Sequence, residues 1–357
     1  MGKSKELLQI SGKNKDDFMI RIAFVDWWEG FDKNNNFITD ALKQIIEYEI
    51  VDVEKVNEEN IDFLFCSIMS KDFLNFDCPR IVFTGENYIP DFNLYDYGIG
   101  FEYLHLDDRY IRYPLYIAYY KDACNKMLKK KNQTSDAFNR DFCSMVVSNG
   151  VDADIYRDIL FERLSNYKRV SSGGKFKNNI GVPTGVKNKE EFLKKYKFNI
   201  ACENVSHKGY CTEKIVEAFA AGTIPIYWGD TSVEKYFNPK AFINCNSFET
   251  IEDVIDYIKQ IDTDEEAYMN MLNQPAVLDV ERQFTALNKE FEMWLAHVVK
   301  QKKKDAYRRN LSGWSSINER YNQEINRVYK EYLDNQKANY KKECILIRIL
   351  RKVRCLL

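Results

Sequence analysis

Short apolar runs recur along the chain, each ended by a polar loop and followed by a segment with helical spacing. The runs Phe18–Phe24 (FMIRIAF), Ile61–Cys66 (IDFLFC) and Pro79–Phe83 predict strands, and Ile45 to Tyr48 suits the end of an intervening helix. Met145–Ser148 predicts the strand that opens a second unit, followed by helices at Ile251–Ile261 and around Phe284–Val299. Strands alternating with helices predict an α/β fold whose functional loops follow its strands. Residues 121–140 are polar and rich in lysine (Lys129, Lys130, Lys131), which places a domain boundary there. The expected divisions are an α/β domain over 1–130, a second over 141–300, and a helical tail over 301–357.

The richest stretch is Phe198–Gly229 (FNIACENVSHKGYCTEKIVEAFAAGTIPIYWG). Phe198, Ile200 and Cys202 fill a core while the chain runs out to Glu203 and Asn204. A polar loop follows, then Thr212 at an N-cap position with Glu213 and Lys214 in the first turn. Ile215 and Phe219 give this helix an apolar face, Gly222 stops it, and Ile224–Tyr227 resumes as strand. In such a βαβ unit a ligand sits beyond the carboxyl end of the strand, beside the helix start. Free N–H groups, the helix dipole and the Lys214 cation together suit a phosphate or diphosphate.

That stretch, E-N-x(5)-Y-x-T-E-K-I-x(3)-F-x-A-G-T-I-P-I-Y-W-G, resembles the signature of the α1,3/4-fucosyltransferases, glycosyltransferase family 10, and most closely their bacterial branch. Upstream, Thr84-Gly85-Glu86-Asn87 with Pro90, Phe92, Asp96-Tyr97 and Gly100-Phe101, continued by DRYIRYPLY at Asp108–Tyr116, is similar to the family's acceptor-side motif. FCSMVVSN at Phe142–Asn149, with Arg157 following, is a third match. The resemblance implies a GT-B fold, in which two Rossmann-like domains face a cleft. It also implies inverting transfer of L-fucose from GDP-fucose to the GlcNAc of a Gal-GlcNAc acceptor, as in Lewis-type antigens of surface glycans. No cofactor is then required and no divalent metal is expected, since arginine and lysine can carry the leaving-group charge.

Composition narrows the alternatives. With 52 basic and 54 acidic residues the net charge is −2, which carries no overall nucleic-acid footprint. Nine cysteines without a CxxC pair read as reduced core thiols. The N-terminus has no apolar signal core and no apolar run reaches the ~20 residues of a membrane helix, so a cytoplasmic enzyme is expected. Over 341–357, Ile345, Ile349, Val353 and Leu356 share one helical face and Lys341, Lys342, Arg348 and Arg351 line the other. This predicts a peripheral contact with an anionic membrane surface, the bland alternative being a helix docked on the protein's own core. From Ile317 to Tyr340 a loose spacing at Tyr321, Ile325, Val328 and Tyr332 runs into Asn335 and Asn339, a poor seam for a coiled coil.

The resemblance assigns roles. Glu86 would be the general base on the acceptor hydroxyl; without the resemblance, a carboxylate capping a turn is the better reading. Arg157 and Lys214 would hold the diphosphate and stabilise the leaving group. Asn204 and Tyr210 would bond phosphate or ribose, and Glu213 would accept from sugar hydroxyls. Trp27, Trp28 and Glu102 are acceptor-side candidates, although tryptophans at a strand end serve a core equally well. Two acidic triplets, Asp152–Asp154 and Asp262–Asp264, read as solvated turns or caps.

Overall fold

A computed structural model describes residues 19–55, 60–129, 132–150 and 152–354, with side chains described as far as residue 338. In the first half, strands β1 (Ile20–Val25), β2 (Tyr48–Ile50), β3 (Phe63–Cys66), β4 (Arg80–Phe83), β5 (Tyr97–Gly100) and β6 (Tyr110–Arg112) form one parallel sheet in the order β2-β1-β3-β4-β5-β6. Helix α1 (Phe37–Ile45) follows β1, started by an Asn36 capping box, and α2 (Leu115–Tyr119) and α3 (Lys121–Leu128) follow β6. Strands β3, β4 and β5 are buried on both faces, as a covered parallel sheet requires. Phe63, Phe65, Ile81 and Phe83 enter one core, while Leu64, Cys66 and Val82 enter the other.

The second half repeats the plan. Strands β7 (Asp141–Met145), β8 (Val170–Ser172), β9 (Tyr196–Cys202), β10 (Ile224–Trp228) and β11 (Ile243–Asn244) form a parallel sheet ordered β11-β10-β9-β7-β8. Helices α4 (Tyr156–Tyr167), α5 (Lys189–Leu193), α6 (Glu213–Ala220), α7 (Ile251–Thr263) and α8 (Glu265–Leu272) connect and cover it. Its core takes Cys143, Phe198, Ile200, Cys202 and Ile226. Strand β7 starts earlier than the expected Met145–Ser148 because Phe142 and Cys143 are already core residues. Residues 121–128, expected as part of a polar connection, are the helix α3, whose Cys124 and Met127 bury as it packs on α6.

The chain then returns to the first sheet. Helix α9 (Ala286–Val299), expected alongside the second domain, puts the Phe291 ring against Phe37 and stacks it on Tyr113 at 4.4 Å. After the short α10 (Lys303–Ala306), Arg309 buries its guanidinium against the buried Asp96 carboxylate, and Arg80 reaches Glu319 at 2.6 Å. Helix α11 (Gly313–Arg354) begins on the turn at Asp72–Asn75, where Gln323 donates to the Leu74 carbonyl at 2.8 Å. The basic face expected over 341–357 falls on residues whose side chains lie outside those described. Among the described residues no helix is long and apolar enough to cross a membrane.

Two smaller expectations change. Asp262 is not solvated: it is 4% exposed and pairs with Lys168 at 2.5 Å and Lys197 at 2.6 Å. Asp264 does cap α8, accepting from the Ala267 N–H at 2.9 Å. The seven cysteines whose side chains are described are free and buried. Burial raises their thiols, Cys124 and Cys245 each to about 12.

Candidate active site

Strand β9 ends at Cys202 and delivers Glu203 and Asn204 to the interior of the cleft. Glu203 is fully buried. Its Oε1 accepts the Thr212 backbone N–H at 2.7 Å, and its Oε2 accepts the Thr212 hydroxyl at 2.6 Å and the Lys214 ammonium at 2.9 Å. Thr212 is the N-cap of α6, but its side chain makes no cap bond: its hydroxyl donates to Glu203 and its oxygen accepts from the Lys214 ammonium at 2.8 Å. An internal carboxylate therefore occupies the helix start that the sequence offers to a phosphate. Gly229 at the end of β10 is required beside it. Its φ is +151°, and a Cβ there would lie 2.5 Å from the Glu203 Cγ.

Three charges thus share the start of α6. Burial raises the Glu203 carboxyl despite Lys214 nearby. Burial also works against the Lys214 ammonium, but Glu203 and Glu213 overcome it and hold Lys214 firmly protonated. For Glu213, burial pulls upward while Lys214 and Lys189 pull further down, so its carboxyl stays ionised. Glu213 sits 3.6 Å from Lys214. The ammonium is oriented by its neighbours rather than left to rotate in water.

Arg157, on the first turn of α4, is 1% exposed and reaches the loop after β9 through Asn204. Its guanidinium donates to Asn204 Oδ1 at 3.3 Å and to the Asn149 carbonyl at 3.0 Å. Its Nε is buried without a hydrogen-bond partner among the described residues. A buried guanidinium with a spare N–H is able to serve an anion.

On the facing wall, β4 runs into Thr84 and Gly85 and presents Glu86 in an exposed loop. Tyr210, from the second domain, reaches across and donates its hydroxyl to Glu86 Oε2 at 3.0 Å. Burial, with the Glu203 and Glu86 charges behind it, pushes the Tyr210 phenol far above its ordinary range, so it remains a donor. Further contacts close the seam. Glu102 lies 2.6 Å from His207 Nε2, and Tyr103 meets Ser232 at 3.2 Å. Gly209 has φ +90°, and a Cβ there would come within 2.8 Å of the Phe101 carbonyl, so the two backbones approach where only glycine fits. Its N–H donates to the buried Asp230 at 2.7 Å.

The structure brings Glu86, Arg157, Asn204, Tyr210, Glu213 and Lys214 to one cleft. Glu102 is in the seam, engaged with His207. Trp27 is committed to the first core. Its indole N–H donates to the Phe65 carbonyl at 3.0 Å and its ring stacks on Phe31 at 4.1 Å. Trp28 meets the Tyr119 ring edge-on at 5.0 Å at the margin of that core. The internal role of Glu203, Asp230 and the pairing of Glu102 with His207 are not identified by sequence reasoning, which names Glu102 only as an acceptor-side candidate. The signal for Glu203 is non-local: a carboxylate directly after β9, opposite Gly229 that follows the next strand. Among the described residues no group of three or more His, Cys, Asp or Glu is placed to hold a metal ion.

Residues 22–119 match the family model of the alpha-(1,3)-fucosyltransferase FucT N-terminal domain. Residues 128–318 match that of glycosyltransferase family 10 (fucosyltransferase), C-terminal part. The chain is 38% identical over 289 residues to the alpha-(1,3)-fucosyltransferase FucT of Helicobacter pylori, which covers 71% of this chain and 59% of that relative's length. It is 33% identical over 79 residues, 22% of each protein, to the 4-galactosyl-N-acetylglucosaminide 3-alpha-L-fucosyltransferase 9 of Mus musculus. A crystal structure of an alpha1,3-fucosyltransferase with GDP-fucose superposes with a TM-score of 0.69 and 30% identity, over 84% of this chain and 96% of that one. Two parallel α/β domains facing a cleft, with a helical C-terminal region, are the GT-B fold, and the chain belongs to glycosyltransferase family 10, the fucosyltransferases.

Proposed function

We propose that the chain transfers L-fucose from GDP-fucose to the GlcNAc of a Gal-GlcNAc acceptor, forming an α1,3 linkage with inversion. The observation that carries this reading is the Tyr210–Glu86 hydrogen bond at 3.0 Å, which ties a carboxylate of the first domain to the loop after β9 in the second, the loop whose Glu203 fixes Lys214. The donor is supported by the GDP-fucose named for the superposed structure, and the acceptor by the galactosyl-N-acetylglucosaminide named for the mouse relative.

In this reading the Glu86 carboxylate accepts the proton of the acceptor hydroxyl as its oxygen bonds to the anomeric carbon. The bond from that carbon to the β-phosphate oxygen breaks, and its electron pair leaves on GDP. Attack from the face opposite the leaving group turns a β-linked donor into an α-fucoside. Arg157, with its spare Nε, and Lys214, fixed by Glu203, stabilise the growing diphosphate charge. Such preset donors need no reorganisation as the charge develops. Asn204 orients Arg157 and faces the phosphates, Tyr210 holds Glu86, and Glu213 accepts from sugar hydroxyls.

Incubation of the purified chain with GDP-fucose and a Gal-GlcNAc disaccharide should yield a fucosylated trisaccharide whose linkage analysis reads α1,3 to GlcNAc. Transfer from a UDP-sugar but not from GDP-fucose would refute the donor assignment, and an α1,4 linkage would refute the regiochemistry alone.

A further inference from the structure

The loop that carries Tyr210 is gripped from both domains at the peptide just before it. The Gly209 N–H donates to Asp230 Oδ1 at 2.7 Å, within the second domain. The Gly209 carbonyl faces the Arg112 guanidinium of the first domain at 3.5 Å. Tyr210 then rests its ring on Phe101 of the first domain at 5.0 Å and turns its hydroxyl to Glu86. The orientation of one peptide therefore decides where that hydroxyl meets the carboxylate.

Arg112 ends β6, at the carboxyl edge of the first sheet. Its guanidinium lies between two aromatic rings, Tyr103 of its own domain at 4.8 Å and Tyr236 of the other at 4.7 Å. A planar cation held between two rings has little freedom to turn. The Tyr103 hydroxyl meets Ser232, whose N–H and hydroxyl each donate to Asp230 Oδ1 at 2.7 Å. Asp230 is fully buried and gathers three donors on that one oxygen, so the Gly209 N–H has a fixed acceptor.

The cluster is not arranged for stability alone. Among the described residues the Arg112 Nε, the Asp230 Oδ2 and the Tyr236 hydroxyl are buried without hydrogen-bond partners. Each such group costs free energy that a purely structural joint would avoid by pairing it. Departures of this kind concentrate where a site needs side chains in a set geometry.

We propose that Arg112 and Asp230 are positioning residues. From opposite domains they fix the Gly209 peptide, and through it the Tyr210 hydroxyl that holds Glu86. The inference rests on the reading of Glu86 as the general base. It adds that the rate is set in part by two residues that need touch neither donor nor acceptor.

The test is a double-mutant cycle on the full chain, with GDP-fucose and a Gal-GlcNAc acceptor both saturating. Arg112→Met keeps the aliphatic stem and removes the planar cation. Its kcat is expected to fall about fivefold, the effect of roughly one hydrogen bond, with the GDP dissociation constant unchanged within about twofold. In a Tyr210→Phe background the same change should cost less than about twofold, because the bond it serves is already gone. Asp230→Asn keeps the shape of the side chain and weakens the contact with the Gly209 N–H. It should lose about threefold in kcat and be absorbed by Tyr210→Phe in the same way. A merely structural role would give equal losses with and without the Tyr210 hydroxyl, and that result would overturn the inference. A wild-type kcat in both single variants would overturn it too. A wild type that transfers no fucose would instead overturn the underlying function.

Discussion

The loop after β9 and the loop after β4 face each other across the cleft and are built in opposite ways. In the first, Glu203, Tyr210 and Thr212 are at most 3% exposed, and Glu203 spends both its oxygens on internal donors. In the second, Glu86 to Ile89 are exposed, and Glu86 is steadied by a tyrosine borrowed from the other domain. On the proposed reading, an internally bonded anchor such as Glu203 with Thr212 and Lys214 suits a partner that never varies, the nucleotide sugar, and an open loop leaves room for acceptors of differing shape. The contrast teaches that internal bonding in the two loops follows the constancy of the proposed ligand.

The sharpest way to break the comparison is through stability. Glu203→Ala removes one member of a buried charge pair and strands the Lys214 ammonium, so it should cost about 3–5 kcal/mol in chemical denaturation. Glu86→Gln, at an exposed site with a side chain of the same shape, should change stability by no more than about 0.5 kcal/mol. Similar losses from the two variants would erase the distinction between the loops.

A smaller effect tests the tyrosine bridge. Tyr210→Phe releases the Glu86 carboxylate from its anchor in the other domain. On the proposed reading kcat should fall about tenfold, the loss of roughly one hydrogen bond to a charged group, with GDP affinity retained. An unchanged kcat would detach Tyr210 from Glu86 in solution.

The smallest effect concerns the strap that ties the returning chain to the first domain. The Arg308 hydrogen bonds hold the Asp108 carboxyl below its ordinary value of 3.8, with His297 helping. A carboxyl depressed in the folded state contributes stability above its unfolded pKa and loses it as pH falls through the lower folded one. The protection of amides across residues 300–309, relative to their intrinsic exchange rates, should fall below pH ~4 in wild type, and Asp108→Asn should show that lower protection already at neutral pH. Protection in wild type that is independent of pH would exclude Asp108 as the tether.

Much of this was legible in the sequence because strands and their trailing loops are local. The apolar run before Gly85 announces β4 and its loop, and Phe198–Gly229 lays out β9, the loop, α6 and β10 in order. Parts that depend on distant partners were hidden. Nothing local marks Glu203 as the occupant of the α6 start, since a carboxylate there reads the same whether it faces substrate or Thr212 and Lys214. Trp27 at a strand end suits a sugar or a core equally, and the Phe65 carbonyl that decides the matter lies 38 residues away. Helix α9 reads as the last helix of the second domain, yet Phe291 finds its partners Phe37 and Tyr113 in the first. Asp262 looked like a surface turn because the buried lysine that claims it sits on β9.

The central claim is that a carboxylate on the open loop takes the acceptor proton while the closed loop holds the donor. Glu86→Gln tests it most directly, with kcat and GDP dissociation constant measured on the same preparation. The account predicts a fall in kcat of about 10²–10⁴-fold with GDP affinity unchanged within about twofold. A variant that turns over at the wild-type rate would contradict it.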